Sequence, residues 1–187
     1  MRTFIALGIS LNLTSIELLN NLKQKLCHDK IRWVNFETLH LTLFFLGEAN
    51  ETQINEIDSV FKAHISPFAP LGIALKGIGT FGQKHNPKVL WLGVEPCETL
   101  KELYAKVNEM VSPIGFIPDK RGFNPHVTIG RIKRIDNMQL IESVIEEAGN
   151  QSIQDLIIDK VTLYKSTSTP NGPVYAPLIE QQLMGSV

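Results

Sequence analysis

Two stretches of the 187-residue chain share one arrangement of residue types: HLTLFF at 40–45 and HVTIGR at 126–131. Each begins with a histidine, an apolar residue, a threonine and a second apolar residue, and one lies in each half of the chain. With 5 histidines and 11 threonines in the sequence, chance gives about 0.3 His-x-Thr triplets. The repetition therefore indicates that the two stretches have a common role.

The alternation within each stretch predicts a half-buried β-strand. Residues two apart along a strand point to the same face of a sheet. His40 and Thr42 would then share one face, while Leu41 and Leu43 point into a core. The stretch at 126–131 follows the same alternation, so its histidine and threonine share a face too.

The predicted elements around the two stretches follow a similar order. Apolar spacing predicts helices, the first with the form of a Thr14–Glu17 capping box, and apolar runs of strand length predict strands. The predicted helices cover 14–26, about 50–65, 98–111 and about 136–148. The predicted strands cover 3–11, 69–82, 88–94, 155–166 and 174–183, with a turn at TPNGP (169–173) before the last of them.

The two halves of the chain also align. LGI at 7–9 and LGV at 92–94 precede the two histidines by nearly equal intervals, and each interval contains one predicted helix. We predict an internal duplication within a single domain over 1–187, with lobes built around His40 and His126. The fold is expected to be α+β, with two pseudo-symmetric lobes, each an antiparallel sheet backed by helices, and a central cleft between the sheets. A simple alternation of elements, common in α+β proteins, is the alternative.

Composition limits the classes of function. The chain has 43% hydrophobic residues, 20% charged residues and a formal net charge of −1, which argues against coating nucleic acid and favours a small, end-directed contact. The start has no signal-peptide cleavage pattern, and no run is apolar and long enough to span a bilayer, so we expect a cytoplasmic protein without membrane contact. Cys27 and Cys97 have neither metal-ligand nor disulfide-framework spacing.

If a twofold axis brings the two strands together, two imidazoles and two hydroxyls line one cleft. Because the pKa of histidine is about 6.5, one ring can accept a proton at neutral pH while the other donates one. Such a pair suits in-line attack on a phosphodiester, with the hydroxyls donating hydrogen bonds to its oxygens. This chemistry requires neither a metal nor a cofactor.

At these residues the chain resembles the two-histidine (2H) phosphoesterase superfamily, whose signature is a pair of HxTx motifs. The closer resemblance is to the bacterial and archaeal RNA 2′,3′-cyclic phosphodiesterases, also called 2′-5′ RNA ligases, and it covers nearly the whole chain. It rests on FIAL (4–7), RWV (32–34), LHLTLFFLG (39–47), PKVLWLGV (87–94), FNPHVTIGR (123–131), LYKS (163–166) and GPVYAPL (172–178). It implies hydrolysis of a terminal RNA 2′,3′-cyclic phosphate to a 2′-phosphate, with 2′-5′ ligation as the reverse reaction.

The resemblance also implies residue roles. His40 would be the proton donor to the leaving 3′-oxygen and His126 the proton acceptor that activates water, an assignment that spacing alone leaves open. Thr42 and Thr128 would bind the phosphate. Arg131 matches an arginine that relatives carry near the substrate.

Phe45 occupies the same offset after His40 as Arg131 does after His126. This offset is odd, so a regular strand turns both residues away from the histidines. Gly130 predicts an irregularity between Thr128 and Arg131 that re-aims the arginine, whereas the first strand has no such glycine.

Several alternatives remain at this stage. The threonines are also good strand formers, Arg131 belongs to a charged GRIKR run, and large aromatics such as Phe45 commonly serve burial. A metallohydrolase is disfavoured because neither motif has a nearby carboxylate as third ligand. A non-catalytic RNA-end binding module, or a sister 2H enzyme acting on a small cyclic nucleotide or a 2′-5′ oligonucleotide, remains open. We expect a monomer; the sequence specifies neither the physiological RNA nor the importance of ligation.

Overall fold

The computed structural model describes residues 1–119, 122–170 and 172–186. Within them the chain forms four α-helices: α1 (Leu13–Lys25), α2 (Glu51–Ile65), α3 (Glu98–Val111) and α4 (Met138–Ala148). The strands of the described residues are β1 (Arg2–Gly8), β2 (Lys30–Trp33), β3 (His40–Glu48), β4 (Leu71–Gln83), β5 (Asn86–Val94), β6 (His126–Arg134), β7 (Ser152–Ile158), β8 (Lys160–Thr169) and β9 (Gly172–Gln182).

These strands form one antiparallel sheet that places the two HxTx strands side by side at its centre. Its order is β7-β4-β5-β6-β3-β1-β8-β9, and β2 adds to β6. β3 and β6 are joined where Leu41 lies opposite Val127. Outward from that pair, β1 mirrors β5, β8 mirrors β4 and β9 mirrors β7, so the predicted α+β fold with two pseudo-symmetric lobes is confirmed.

Each half of the sheet contains strands from both halves of the chain. β4 follows β3 and α2 in sequence but pairs with β5, while β8 follows β6 and α4 but pairs with β1. The lobe around β3 therefore takes β8 and β9 from the second half of the sequence, and the lobe around β6 takes β2 and β4 from the first half, so neither lobe corresponds to one continuous half. Duplication within a single domain remains a prediction.

The core lies under the sheet and contains the alternate residues of both HxTx strands. Leu41 and Val127 have no exposed surface and belong to one hydrophobic cluster. Burying an aliphatic side chain of this size contributes about 1.5–3 kcal/mol, so the core fixes which face of each strand carries the histidine. α2 packs on α3, and an exposed ion pair joins α1 to α4, with 3.3 Å between Lys25 Nζ and Glu147 Oε2.

Two local predictions are wrong. The capping box at Thr14 is not formed, because the Asn12 side chain accepts a hydrogen bond from the Ser15 amide at 2.9 Å and starts α1 earlier. The strand predicted over 155–166 divides at Asp159, because β7 pairs with β4 at one side of the sheet and β8 pairs with β1 at the other.

The predicted turn at 169–173 includes Asn171, which lies outside the described residues. On either side of it, the Thr169 hydroxyl donates to the Gly172 carbonyl at 2.6 Å. None of the helices in the described ranges is long and apolar enough to cross a bilayer.

Candidate active site

The strand β3 carries a bulge that the sequence analysis did not predict. Ala6 of β1 lies opposite Thr42 and Ile5 lies opposite Phe44, so Leu43 has no partner across the ladder. Leu43 and Phe44 are consecutive buried residues, and the alternation changes phase after them. Phe45 consequently returns to the face of His40 and Thr42, with 69% of its surface exposed.

The strand β6 carries the equivalent bulge, as predicted between Thr128 and Arg131. Trp91 of β5 lies opposite Thr128 and Leu90 lies opposite Gly130, so Ile129 is the extra residue. Arg131 is exposed and shares the face of Thr128.

Gly130 is not required for the bulge in β6, since β3 has the equivalent bulge without a glycine. The absence of a side chain at Gly130 instead lets β2 approach, because a Cβ there would lie 2.8 Å from Ile31 Cγ2.

Each histidine ring is held by a backbone carbonyl two residues earlier. His40 Nδ1 lies 2.8 Å from the Thr38 carbonyl oxygen, and His126 Nδ1 lies 2.8 Å from the Asn124 carbonyl oxygen. A carbonyl oxygen only accepts hydrogen bonds, so Nδ1 must be the donor in both rings. Nε2 is then left to accept a proton in the neutral ring or to donate one in the cation.

The surroundings of His40 favour its neutral form. Burial lowers the pKa of His40, and the positive charges of Arg131 and His126 lower it further, while the hydrogen bond to the Thr38 carbonyl opposes them. Arg131 and His126 are therefore close enough for their charges to act on His40. A bound phosphodiester, being negative, would favour the protonated ring.

Arg131→Gln is expected to raise the pKa of His40 towards the ordinary histidine value of about 6.5, because it removes a nearby positive charge while burial persists. An NMR titration of the histidine ring carbons, assigned with His40→Gln, measures this pKa. Lys133→Gln is the matched control, since it removes the same charge from an exposed position on the same strand. Equal pKa changes in the two variants would contradict a direct effect of Arg131.

The HxTx pairs converge across the β3–β6 junction. Continuing the register from the Leu41–Val127 pair sets His40 across from Thr128 and His126 across from Thr42. All four cleft-facing side chains are half-buried. Among the described residues neither threonine hydroxyl has a hydrogen-bond partner, so both are available to a ligand.

Aromatic side chains that the sequence analysis did not assign frame the two histidines. The Tyr175 ring meets His40 edge-on at 5.0 Å between centroids, and the Phe4 ring lies 4.9 Å from His40. Phe81 meets His126 edge-on at 4.7 Å and lies 5.2 Å from Trp91. These rings come from four different strands, so only the strand pairing could have revealed them.

The comparisons with known proteins agree with this arrangement. The sequence profile described as the 2′-5′ RNA ligase superfamily matches residues 14–170. The chain belongs to the 2′-5′ RNA ligase superfamily. It is 36% identical to an RNA 2′,3′-cyclic phosphodiesterase of Thermotoga maritima over all of this chain and 98% of that protein. It is 34% identical to an RNA 2′,3′-cyclic phosphodiesterase of Methanocaldococcus jannaschii over 96% of this chain and 99% of that protein.

Two solved structures have the same fold as this chain. The crystal structure of TT0787 from Thermus thermophilus superposes with a TM-score of 0.82 at 24% identity and covers both chains fully. E. coli LigT complexed with 3′-AMP gives a TM-score of 0.74 at 21% identity over 97% of each chain. The α+β fold is thus shared by relatives whose sequences have diverged widely.

Proposed function

We propose that the chain is an RNA 2′,3′-cyclic phosphodiesterase that hydrolyses cyclic ends to 2′-phosphomonoesters by acid–base catalysis between His40 and His126. The observation that carries the proposal is the pair of histidines on adjacent strands at the β3–β6 junction, each with Nδ1 bound to a carbonyl and Nε2 left for proton transfer. The names of the relatives support the same activity.

In the proposed step, His126 Nε2 takes a proton from water as the water oxygen attacks phosphorus. The bond between phosphorus and the 3′-oxygen breaks in line with the new bond. His40 Nε2 donates its proton to that 3′-oxygen, which leaves as a hydroxyl while phosphorus stays on the 2′-oxygen. The two rings end in exchanged protonation states, and proton exchange with solvent restores them.

The remaining predicted residues are assigned to substrate. Thr42 and Thr128 donate hydrogen bonds to the non-bridging oxygens, where negative charge accumulates in the transition state. Arg131 adds positive charge at the same face of the sheet. Phe45 presents an exposed ring at the edge of the cleft, near the Phe4 ring at 6.3 Å, and is assigned a contact with the RNA.

The same geometry is compatible with 2′-5′ ligation. A 5′-hydroxyl of a second RNA in place of water would lose its proton to His126, and attack on the cyclic phosphate would form a 2′-5′ linkage. We further propose that the protein acts as a cytoplasmic monomer on RNA ends, with neither metal nor cofactor.

Product analysis tests the proposal. The purified protein is incubated with a short RNA ending in a 2′,3′-cyclic phosphate, in excess EDTA, and the product is mapped by NMR or by digestion. We expect a 2′-phosphate in undiminished yield. Loss of turnover with EDTA would favour a metallohydrolase, while tight RNA binding without turnover would favour a non-catalytic end-binding module. Turnover confined to cyclic mononucleotides or 2′-5′ oligonucleotides would favour a sister enzyme.

A further inference from the structure

The side of the cleft around His40 differs from the side around His126, and we call these the His40 wall and the His126 wall. A cavity of about 400 Å³ opens beside His40 and extends to the β7–β8 junction at Asp159, and His126 is not part of its lining. Opposite Thr42 the neighbouring strand carries Ala6. At the mirrored place opposite Thr128 it carries Trp91, so the two walls differ in the size of the side chain beside each threonine.

The Trp91 ring packs closely against the neighbouring strand β4. A Cβ at Gly79 would lie 2.3 Å from the indole ring, so the ring lies directly over the backbone of β4. Phe81 packs against both Trp91 and His126. The His126 wall is therefore filled by aromatic rings, while the His40 wall has a cavity of a size typical for small ligands.

We propose that the cavity beside His40 binds the terminal nucleoside of the RNA and that Glu37 makes it selective for the base. The inference rests on the proposed function and deepens it. In-line displacement puts the leaving 3′-oxygen and the attacking water on opposite sides of phosphorus. The 3′-oxygen belongs to the terminal nucleoside, so a nucleoside in this cavity directs it to His40 and leaves water to His126.

The lining fits a nucleoside. The rings of Phe4 and Tyr164 stack at 5.3 Å between centroids and provide an aromatic wall. Thr162 is 1% exposed and lines the cavity, and its hydroxyl has no hydrogen-bond partner within the described residues. Gly8, opposite His40 in the ladder, keeps the entrance open.

The two carboxylates of the lining favour a ligand that presents N–H donors. Glu37 and Asp159 contribute carboxylates, and neither forms an ion pair among the described residues. Lys160 is already paired with Glu180, with 2.5 Å between Nζ and Oε1. A carboxylate only accepts hydrogen bonds, so it suits adenine, guanine and cytosine, which present exocyclic amines, better than uracil, whose single N–H lies between two carbonyls.

The backbone of Glu37 is also fixed relative to the reacting centre, and its side chain is exposed. It lies in the 3-10 turn Phe36–Thr38, whose start is capped by Asn35 Oδ1 accepting from the Glu37 amide at 3.1 Å. The Thr38 carbonyl of the same turn holds the His40 ring. One short, capped segment thus carries both the proposed proton donor and the proposed base-reading carboxylate.

The experiment compares four RNAs that differ only in the terminal nucleoside carrying the cyclic phosphate, with ethylene glycol cyclic phosphate as a substrate without a nucleoside. For the native protein we expect kcat/KM on uridine ends to be at least about 5-fold below the others. Glu37→Gln should remove most of this difference through KM, with each RNA measured relative to the glycol substrate in the same variant. Glu56→Gln, an exposed carboxylate on α2, is the matched control and should keep the preference.

A second variant tests the cavity itself. Gly8 has a backbone conformation that any residue adopts, and a Cβ there would make ordinary contact with the Tyr164 hydroxyl at 3.8 Å. Gly8→Val should raise KM for all four RNAs about 10-fold more than KM for the glycol substrate, because it fills nucleoside space. Equal effects on RNA and glycol substrate, together with no base preference in the native protein, would overturn the inference.

Binding of the four nucleoside 2′-monophosphates separates this inference from the proposed function. A base order in their affinities that Glu37→Gln abolishes would support the nucleoside site even for a protein that turns over no cyclic phosphate, in which case only the proposed function fails. Affinities that are equal for the four bases, and unchanged by Gly8→Val, would overturn the nucleoside site whatever the turnover.

Discussion

Replacing either His40 or His126 by glutamine is expected to lower kcat on RNA with a 2′,3′-cyclic phosphate by about 100- to 10,000-fold, the contribution of a positioned proton-transfer group. Glutamine cannot exchange a proton at neutral pH. Each ring has only Nε2 available, because Nδ1 is held by the carbonyl of Thr38 or Asn124. Single-turnover rates with saturating protein measure the chemical step directly.

The double variant His40→Gln/His126→Gln should be little slower than either single variant. A concerted transfer needs both rings, so residues that act as a unit give strongly non-additive losses. His64→Gln is a matched control: its Nδ1 also contacts a carbonyl, that of Val60 at 2.9 Å, but it lies on α2. Full activity in His64→Gln and additive losses at the other two would disprove the pairing while leaving both residues important.

Periodicity predicted much of the geometry at the centre of the site. The alternation in HLTL placed His40 and Thr42 on one face because Leu41 and Leu43 belong to the core, and both leucines are buried. The helix predicted over 98–111 has those bounds. Such features are local, since a strand with one buried face or an amphipathic helix carries its own signal along the chain.

What the sequence did not predict depends on pairing between distant strands. The bulge at Leu43 leaves two buried apolar residues in a row, Leu43 and Phe44, and such a run reads equally well as a strand buried on both faces. The break at Asp159 is similar, because the apolar pattern continues through it and only the pairing of β7 with β4 and of β8 with β1 divides it.

The unlike walls of the cleft were equally beyond the sequence. Ala6 and Trp91 become comparable only when the ladder sets each opposite a threonine of an HxTx strand. The two motifs alone are symmetric and leave the direction of the substrate open. Residues of neighbouring strands form a cavity beside His40 that His126 does not line. This difference between the two histidines gives the substrate a direction.

Thr42→Val or Thr128→Val is expected to lower kcat about 100-fold, the usual loss when one donor to a developing oxyanion is removed. Valine keeps the β-branched shape that suits a strand, so the change removes the hydroxyl with little effect on folding. Both hydroxyls lack a partner among the described residues, so no existing hydrogen bond is lost. Stopped-flow or quench measurements on the cyclic-phosphate RNA give kcat and KM separately.

Two further variants determine whether the lost hydroxyl or a disturbed strand causes the effect. Thr42→Ser and Thr128→Ser should retain most activity, since they keep the donor. Thr3→Val is the matched control, because Thr3 lies on β1 with a buried hydroxyl that has no partner, so valine there should leave kcat unchanged and hold or raise stability. If the threonine-to-valine changes at the cleft raised KM alone, the hydroxyls would bind ground state and transition state equally, and the assignment to transition-state charge would be wrong.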